Sequence, residues 1–144
     1  MSSNDTNPVH ELHPEECWEF LRTREFGRLG YHLADEVHIV PINYAVKDDR
    51  LFFLTAEGSK LLGVTMNADV AFEVDEVVGE TARSVIIRGR ARRLDEHEEH
   101  RADQVPLHTW VDSPKYYVVE VAPEEVSGRA FQLSRPWRSI LPTD

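Results

Sequence analysis

The sequence predicts a mainly β protein: six strands with short helices, wound into an antiparallel barrel. Three observations carry this. Apolar residues recur at every second position from residue 28 onward, polar turns interrupt them at short intervals, and only a stretch near the start has a clear helical period. A chain of 144 residues suits a single domain spanning 1–144.

Residues 1–10, rich in Ser, Asn and Asp, read as a disordered tail. A helix is expected over 14–24. Pro14 suits its first position, and Glu15, Glu16 and Glu19 favour its positive end. Cys17, Phe20, Leu21 and Arg24 then fall on one face, which makes Cys17 a small core residue rather than a reactive thiol. Gly27 closes this element. Strands are expected over 28–33, 37–46, 51–56, 70–77, 84–94 and 116–121, with turns at 34–36 and 47–49 and a loop around Gly79. A short helix is expected over 60–67 and a polar surface helix over 95–104, closed by Pro106. Residues 128–144, with Pro136 and Pro142, read as irregular.

Composition narrows the function. Hydrophobic residues at 41% and charged residues at 29% exclude a disordered chain. A net charge of −10 opposes nucleic acid and anionic membranes, although a local pocket can still take a small anion. The single cysteine, Cys17, excludes a disulfide framework and Cys-rich metal centres. No apolar run approaches the roughly 20 residues that span a bilayer. The polar start lacks a signal-peptide core, so a cytoplasmic protein is expected.

Two segments stand out chemically. In 37–46, Val40, Ile42, Tyr44 and Val46 share one face and Ile39, Pro41, Asn43 and Ala45 the other, so both faces call for cover. Pro41 cannot donate to a ladder, which marks a bulge or an edge, or else a strand whose free backbone groups and Asn43 amide meet a planar heterocycle. In 55–60, a strand running through Thr55 to Ala56 turns at Gly58 into a helix opened by Ser59 and Lys60. Helix-start N–H groups, a hydroxyl and an ammonium converge there on an anion. The alternative is that Ser59 only caps the helix while Lys60 is solvated. The glycine spacing excludes a Walker loop.

Pro41-Ile42-Asn43-Tyr44, Phe53-Leu54-Thr55 with Gly58-Ser59-Lys60, Phe72-Glu73-Val74-Asp75, and Val85 to Ala91 occur in a fixed order. That set resembles the pyridoxamine 5′-phosphate oxidase-like flavoproteins, particularly the short branch with the nitroimidazole-resistance proteins, across about residues 14 to 122. The resemblance implies a Greek-key split β-barrel, a homodimer, and FMN in the cleft between subunits. It places Pro41, Ile42, Asn43 and Tyr44 along the isoalloxazine, and Thr55, Ser59 and Lys60 at the phosphate. Arg83 or Arg88 could supplement this single lysine, and Trp110 could cover the flavin from the neighbouring subunit or pack as a core or interface aromatic. Trp137-Arg138-Ser139-Ile140-Leu141-Pro142 only loosely echoes the substrate segment of the full oxidases, so vitamin B6 oxidation does not follow.

The function so implied is an FMN-dependent oxidoreductase acting on a small molecule, with no catalytic side chain identified. A non-enzymatic flavin- or haem-binding module on the same fold is the alternative. Arg88, Arg90 and Arg92 alternate, and are expected to pair across strands with Glu73 and Asp75 or to form an anion-binding stripe. His97 and His100, beside Glu96, Glu98 and Glu99, read as a solvated face rather than a metal site, and His32 and His38 as packed or cross-strand residues.

Overall fold

The computed structural model describes residues 9–59, 61, 66–107 and 112–133. Its strands are β1 (Val9–Glu11), β2 (Phe26–Leu33), β3 (Glu36–Asn43), β4 (Ala45–Lys47), β5 (Arg50–Ala56), β6 (Met66–Val78), β7 (Thr81–Arg93) and β8 (Tyr116–Gln132), with one α-helix, α1 (Pro14–Arg22). All pair antiparallel in a single sheet of order β3-β2-β6-β7-β8-β5-β4, and β1 adds to β8. Strands β6, β7 and β8 run consecutively and β5 returns beside β8, which is a Greek-key arrangement. The two ends of the order, β3 and β4, are separated in sequence by Tyr44 alone. The sheet therefore curls until its edges meet at that corner without closing, which is the split barrel that the resemblance implies.

The interior follows the pleat. Leu29, Phe72, Val85, Ile87, Val119, Val121, Leu51 and Phe53 are almost fully buried, drawn from alternate positions of neighbouring strands. Helix α1 closes one end with Cys17, Trp18, Phe20 and Leu21 buried. Pro14 opens it, and the Glu16 carboxylate accepts the His13 backbone N–H at 2.9 Å. Cys17 lies in the core as expected, and burial pushes its thiol pKa up. Among the described residues no helix is long and apolar enough to cross a membrane.

Eight strands replace the expected six, for identifiable reasons. Strand β8 runs to Gln132, beyond β5, whose pairing with it ends at Leu51↔Val121. The freed edge takes up Val9–Glu11, so residues 9 and 10 are strand rather than tail, and 128–132 are strand rather than irregular. Gly128 breaks nothing, because a Cβ there would meet the Cys17 Sγ at 2.7 Å and its bareness is a packing requirement. Gly27 likewise lies within β2, against Phe72 and Val74, while α1 already ends at Arg22. Residues 37–46 divide at Tyr44 into β3 and β4. Of the expected 60–67 helix, Met66 and Asn67 belong to β6, and 60 and 62–65 lie outside the described residues.

Strand β7 carries a bulge between Arg88 and Gly89. A Cβ on Gly89 would sit 2.2 Å from the Ala122 carbonyl oxygen, a backbone atom that cannot swing away. Gly89→Ala is therefore expected to destabilise the fold by about 1–3 kcal/mol. Urea denaturation checks this, and an unchanged midpoint would refute the close approach.

The 95–104 segment is a capped turn leading into one 3₁₀ turn (Glu99–Ala102), not the expected helix. Side chains hold it down. The Asp95 carboxylate accepts the His97 and Glu98 N–H groups at 2.9 and 3.0 Å, and Arg92 grips Glu98 through two bonds of 2.6 and 2.7 Å. The Arg92 bonds, helped by the Asp95 backbone N–H, hold the Glu98 carboxyl down to about 2. A carboxyl depressed by folding stabilises the fold above its unfolded value, near 4.5, and that contribution disappears as pH falls towards 2. Acid should thus loosen this segment across that window, and Arg92→Ala should return the Glu98 titration to the ordinary carboxylate range. Carboxyl-carbon NMR reads both effects.

Candidate functional site

Strand β3 lies at the edge of the sheet and pairs only with β2, with Pro41 opposite Arg28. Its missing donor therefore breaks no central ladder, as an edge position requires. Only one face of the strand is covered. Ile42 is buried and Val40 half-buried, whereas Val37 and Ile39 remain 69% and 72% exposed and Pro41 is exposed beside them.

The four residues 41–44 thus do different work. Ile42 and Tyr44 point into the core. The Tyr44 hydroxyl donates to the Leu21 carbonyl at 2.7 Å, its ring meets Phe72 edge-on at 4.8 Å, and burial pushes the phenol pKa up. Their side chains are spent on packing, which leaves only their backbone groups for a ligand. Pro41 and Asn43 face the other way, and the Asn43 amide donates to the Glu25 carbonyl at 3.2 Å.

The second motif is assembled as its sequence suggests. Buried Thr55 lies next to the end of β5 at Ala56, and the chain turns through Gly58, whose φ of +83° lies in the left-handed region that glycine adopts freely. The turn brings the Thr55 and Ser59 hydroxyls 2.8 Å apart. Lys60 and Trp110 lie outside the described residues, as does the 137–142 segment.

The structure adds groups that the sequence reading missed. Thr55 pairs with Tyr117 on β8, and the Glu57 N–H donates to the Lys115 carbonyl at 3.0 Å. The Tyr117 ring is flanked by two cations, the Arg93 guanidinium at 4.4 Å and the Lys115 ammonium at 4.9 Å, and its hydroxyl donates to Glu57 at 3.3 Å. Arg93, Lys115 and Tyr117 form one wall of an open cleft of about 670 Å³, whose other wall carries Asp95, Glu96, His97 and Glu99. The Thr55–Ser59 hydroxyls are linked to the two cations through the Thr55–Tyr117 strand pair, and hydroxyls with cations are the donor types that a phosphate takes.

The two motifs lie on strands that approach each other: β3 and β5 are in contact, and β3 leads through Tyr44 into β4, the partner of β5. Arg88 does not join them. It pairs with Glu125 at 3.2 Å, and Glu125 is eight residues along β8 from Tyr117, about 26 Å at roughly 3.3 Å per residue. Within one chain it cannot reach the Thr55–Ser59 corner. Arg83 is also engaged elsewhere, bonded to Glu76 at 2.7 and 3.1 Å and lying over the Phe20 ring.

The arginine stripe finds other partners than expected. The β6–β7 register puts Arg88 opposite Ala71 and Arg90 opposite Asp69, so Arg90 bonds Asp69 at 2.8 Å and Arg92 bonds Glu98. Glu73 and Asp75 instead share Arg28. They also hydrogen-bond each other: burial and Asp75 raise the Glu73 pKa, while the bond from Glu73 lowers that of Asp75. His97 and His100 are exposed, with a 2.8 Å contact between His100 Nδ1 and the His97 carbonyl. His38 stacks on Tyr31 at 5.4 Å, and His32 is exposed.

A split antiparallel barrel with a corner of paired hydroxyls at the end of β5 defines the structural class. The chain belongs to the pyridoxamine 5′-phosphate oxidase-like family, whose sequence model matches residues 13–130. It is similar to a Corynebacterium glutamicum protein provisionally named a pyridoxamine 5′-phosphate oxidase, at 37% identity and a TM-score of 0.79, covering 90% of this chain and 97% of that one. It is equally similar to the FAD binding protein from Mycobacterium smegmatis, at 36% identity and a TM-score of 0.79, covering 87% and 100%. An uncharacterised Mycobacterium tuberculosis protein is 31% identical over 134 residues, 88% of each chain.

Proposed function

We propose that this protein is a flavin-binding homodimer that uses FMN as a small-molecule oxidoreductase. The observation that carries the reading is the Thr55–Ser59 hydroxyl pair on β5, whose partner on β8 is Tyr117 with the Arg93 and Lys115 cations over its ring. Hydroxyls and cations would hold the phosphate. The exposed edge of β3, with Pro41 removing one donor, would present backbone groups and Asn43 to the ring. A bound flavin supplies hydride or single-electron exchange, and the chain's part is to position it and limit access of water.

A second copy completes the site. Val37, Ile39 and Pro41 form an uncovered apolar strip on β3, and a two-fold partner seated there would wall the site. Arg88, too remote from the phosphate corner of its own chain, could then serve only across that interface. Trp110 is proposed for the same wall.

FAD is the second reading. The Mycobacterium smegmatis relative is described as an FAD binding protein, and the open cleft beside Tyr117 offers room beyond the phosphate. Titration of the flavin-free protein with riboflavin, FMN and FAD, followed by flavin fluorescence, tests both. Micromolar binding of FMN supports the first reading, and a further gain with FAD supports the second. Failure to bind any flavin, or a Soret band in the purified protein, overturns both. Oxidation of a nicotinamide donor by the loaded protein would separate an enzyme from a carrier.

A further inference from the structure

A second concavity lies on the side of β8 opposite Val119 and Val121. It has a volume of about 380 Å³ and shares no lining residue with the cleft around Tyr117. Its floor is Glu120, a carboxylate only 4% exposed, opposite buried Phe52 on β5. Arg50 comes from the β4–β5 hairpin and Arg101 from the 3₁₀ turn. Both bring Nη1 to the Glu120 carboxylate, Arg50 at 3.4 Å and Arg101 at 3.2 and 3.4 Å.

We propose that this pocket binds a small oxyanion, the phosphate or carboxylate group of a small molecule, between Arg50 and Arg101. Each guanidinium has five donors in a planar fork. The contacts of these two run through Nη1, so Nη2 and Nε of both are without a partner among the described residues. Both side chains remain over 40% exposed while lining the pocket. A purely structural clamp does not require Arg50. Glu98 already has Arg92 in a two-bond grip, and Glu120 has Arg101 with Arg92 at 4.0 Å, so Arg50 is a third guanidinium on one buried carboxylate.

The charge balance points the same way. Of its lining residues, Lys47, Arg50 and Arg101 face Glu120 and Asp48, leaving one positive charge in surplus within a chain of net charge −10. Lys47 is held at the rim by the Asp103 carbonyl at 3.1 Å. Glu120 fixes both forks from below and so pre-orders them, which lowers the entropy lost when an anion docks. The volume lies at the small end of ligand sites, suited to a compact metabolite rather than a dinucleotide.

Titration of the ¹⁵N-labelled, flavin-loaded protein with inorganic phosphate or acetate, against chloride at equal ionic strength, tests this. Saturable amide shifts are expected around 47–52 and 100–103. A response to both ions indicates a general oxyanion site, and a response to phosphate alone a phosphate-bearing ligand. Arg50→Gln should weaken binding by about 10-fold or more, Arg50→Lys by less, and Arg129→Gln, at an exposed arginine far along β8, not at all. Thermal melts in chloride establish that the Arg50 variants remain folded. Shifts confined to 55–59, the absence of saturable shifts, or unchanged affinity in Arg50→Gln would each overturn the proposal.

Discussion

Ile39→Asp is expected to convert the proposed dimer into a monomer of 16.6 kDa and to remove the proposed flavin with it. Ile39 is 72% exposed in the single chain, next to Val37 at 69%, on the edge strand that the second copy would cover. Burying an unpaired carboxylate under a partner costs several kcal/mol, so the association constant should fall by at least about 100-fold. The fold of one chain should barely respond, because the side chain touches little of its own core and exposed substitutions usually shift stability by about 0.5 kcal/mol or less. Light scattering on the eluted protein, with a flavin absorbance ratio, measures both losses. A variant that stays dimeric and yellow would show that β3 is not the interface. A monomer retaining stoichiometric flavin would show that one chain alone builds the site.

The same strand shows where a sequence is readable. Alternation within 41–44 already separates Ile42 and Tyr44 from Pro41 and Asn43, and the structure uses that separation: the first pair packs against the core, including Phe72 and the α1 carbonyl of Leu21. Treating the four as one lining set overlooked their own period of two. The Thr55–Ser59 contact was legible because it is local, closed by one turn within five residues. Arg93 and Lys115 were not, since they reach the corner through β7–β8 and β5–β8 pairing between segments far apart in sequence. A weak signal existed: Arg93 follows the arginine alternation out of step, and Lys115 directly precedes the strand that carries Tyr117. The expected pairing of Arg88 to Arg92 with Glu73 and Asp75 failed for a related reason. Alternation fixes the face of a strand but not its register, and the true register is offset so that Arg90 meets Asp69. Strand β1 and the end of β8 were hidden in the same way, each requiring a partner that only the folded sheet supplies.

Lys60→Ala is expected to weaken FMN by about 10- to 100-fold while leaving riboflavin far less affected. A charge-assisted hydrogen bond to phosphate contributes roughly 1.5–3 kcal/mol, and riboflavin has no phosphate to lose. Lys60 follows Ser59 directly in sequence, and the Thr55–Ser59 hydroxyl pair would give the proposed phosphate its fixed neutral donors. Capping the turn is a task for Ser59, so the lysine substitution separates ligand binding from local folding better than a serine substitution would. Arg93 and Lys115 sharpen the expectation, because they keep part of the positive field when Lys60 is lost. Binding should therefore weaken rather than vanish, and the remainder should fall further with added salt as the surviving cations are screened. Equal losses for FMN and riboflavin in a fluorescence titration would remove the phosphate from this corner. An FMN loss that salt does not deepen would remove Arg93 and Lys115 from it while leaving Lys60 in place.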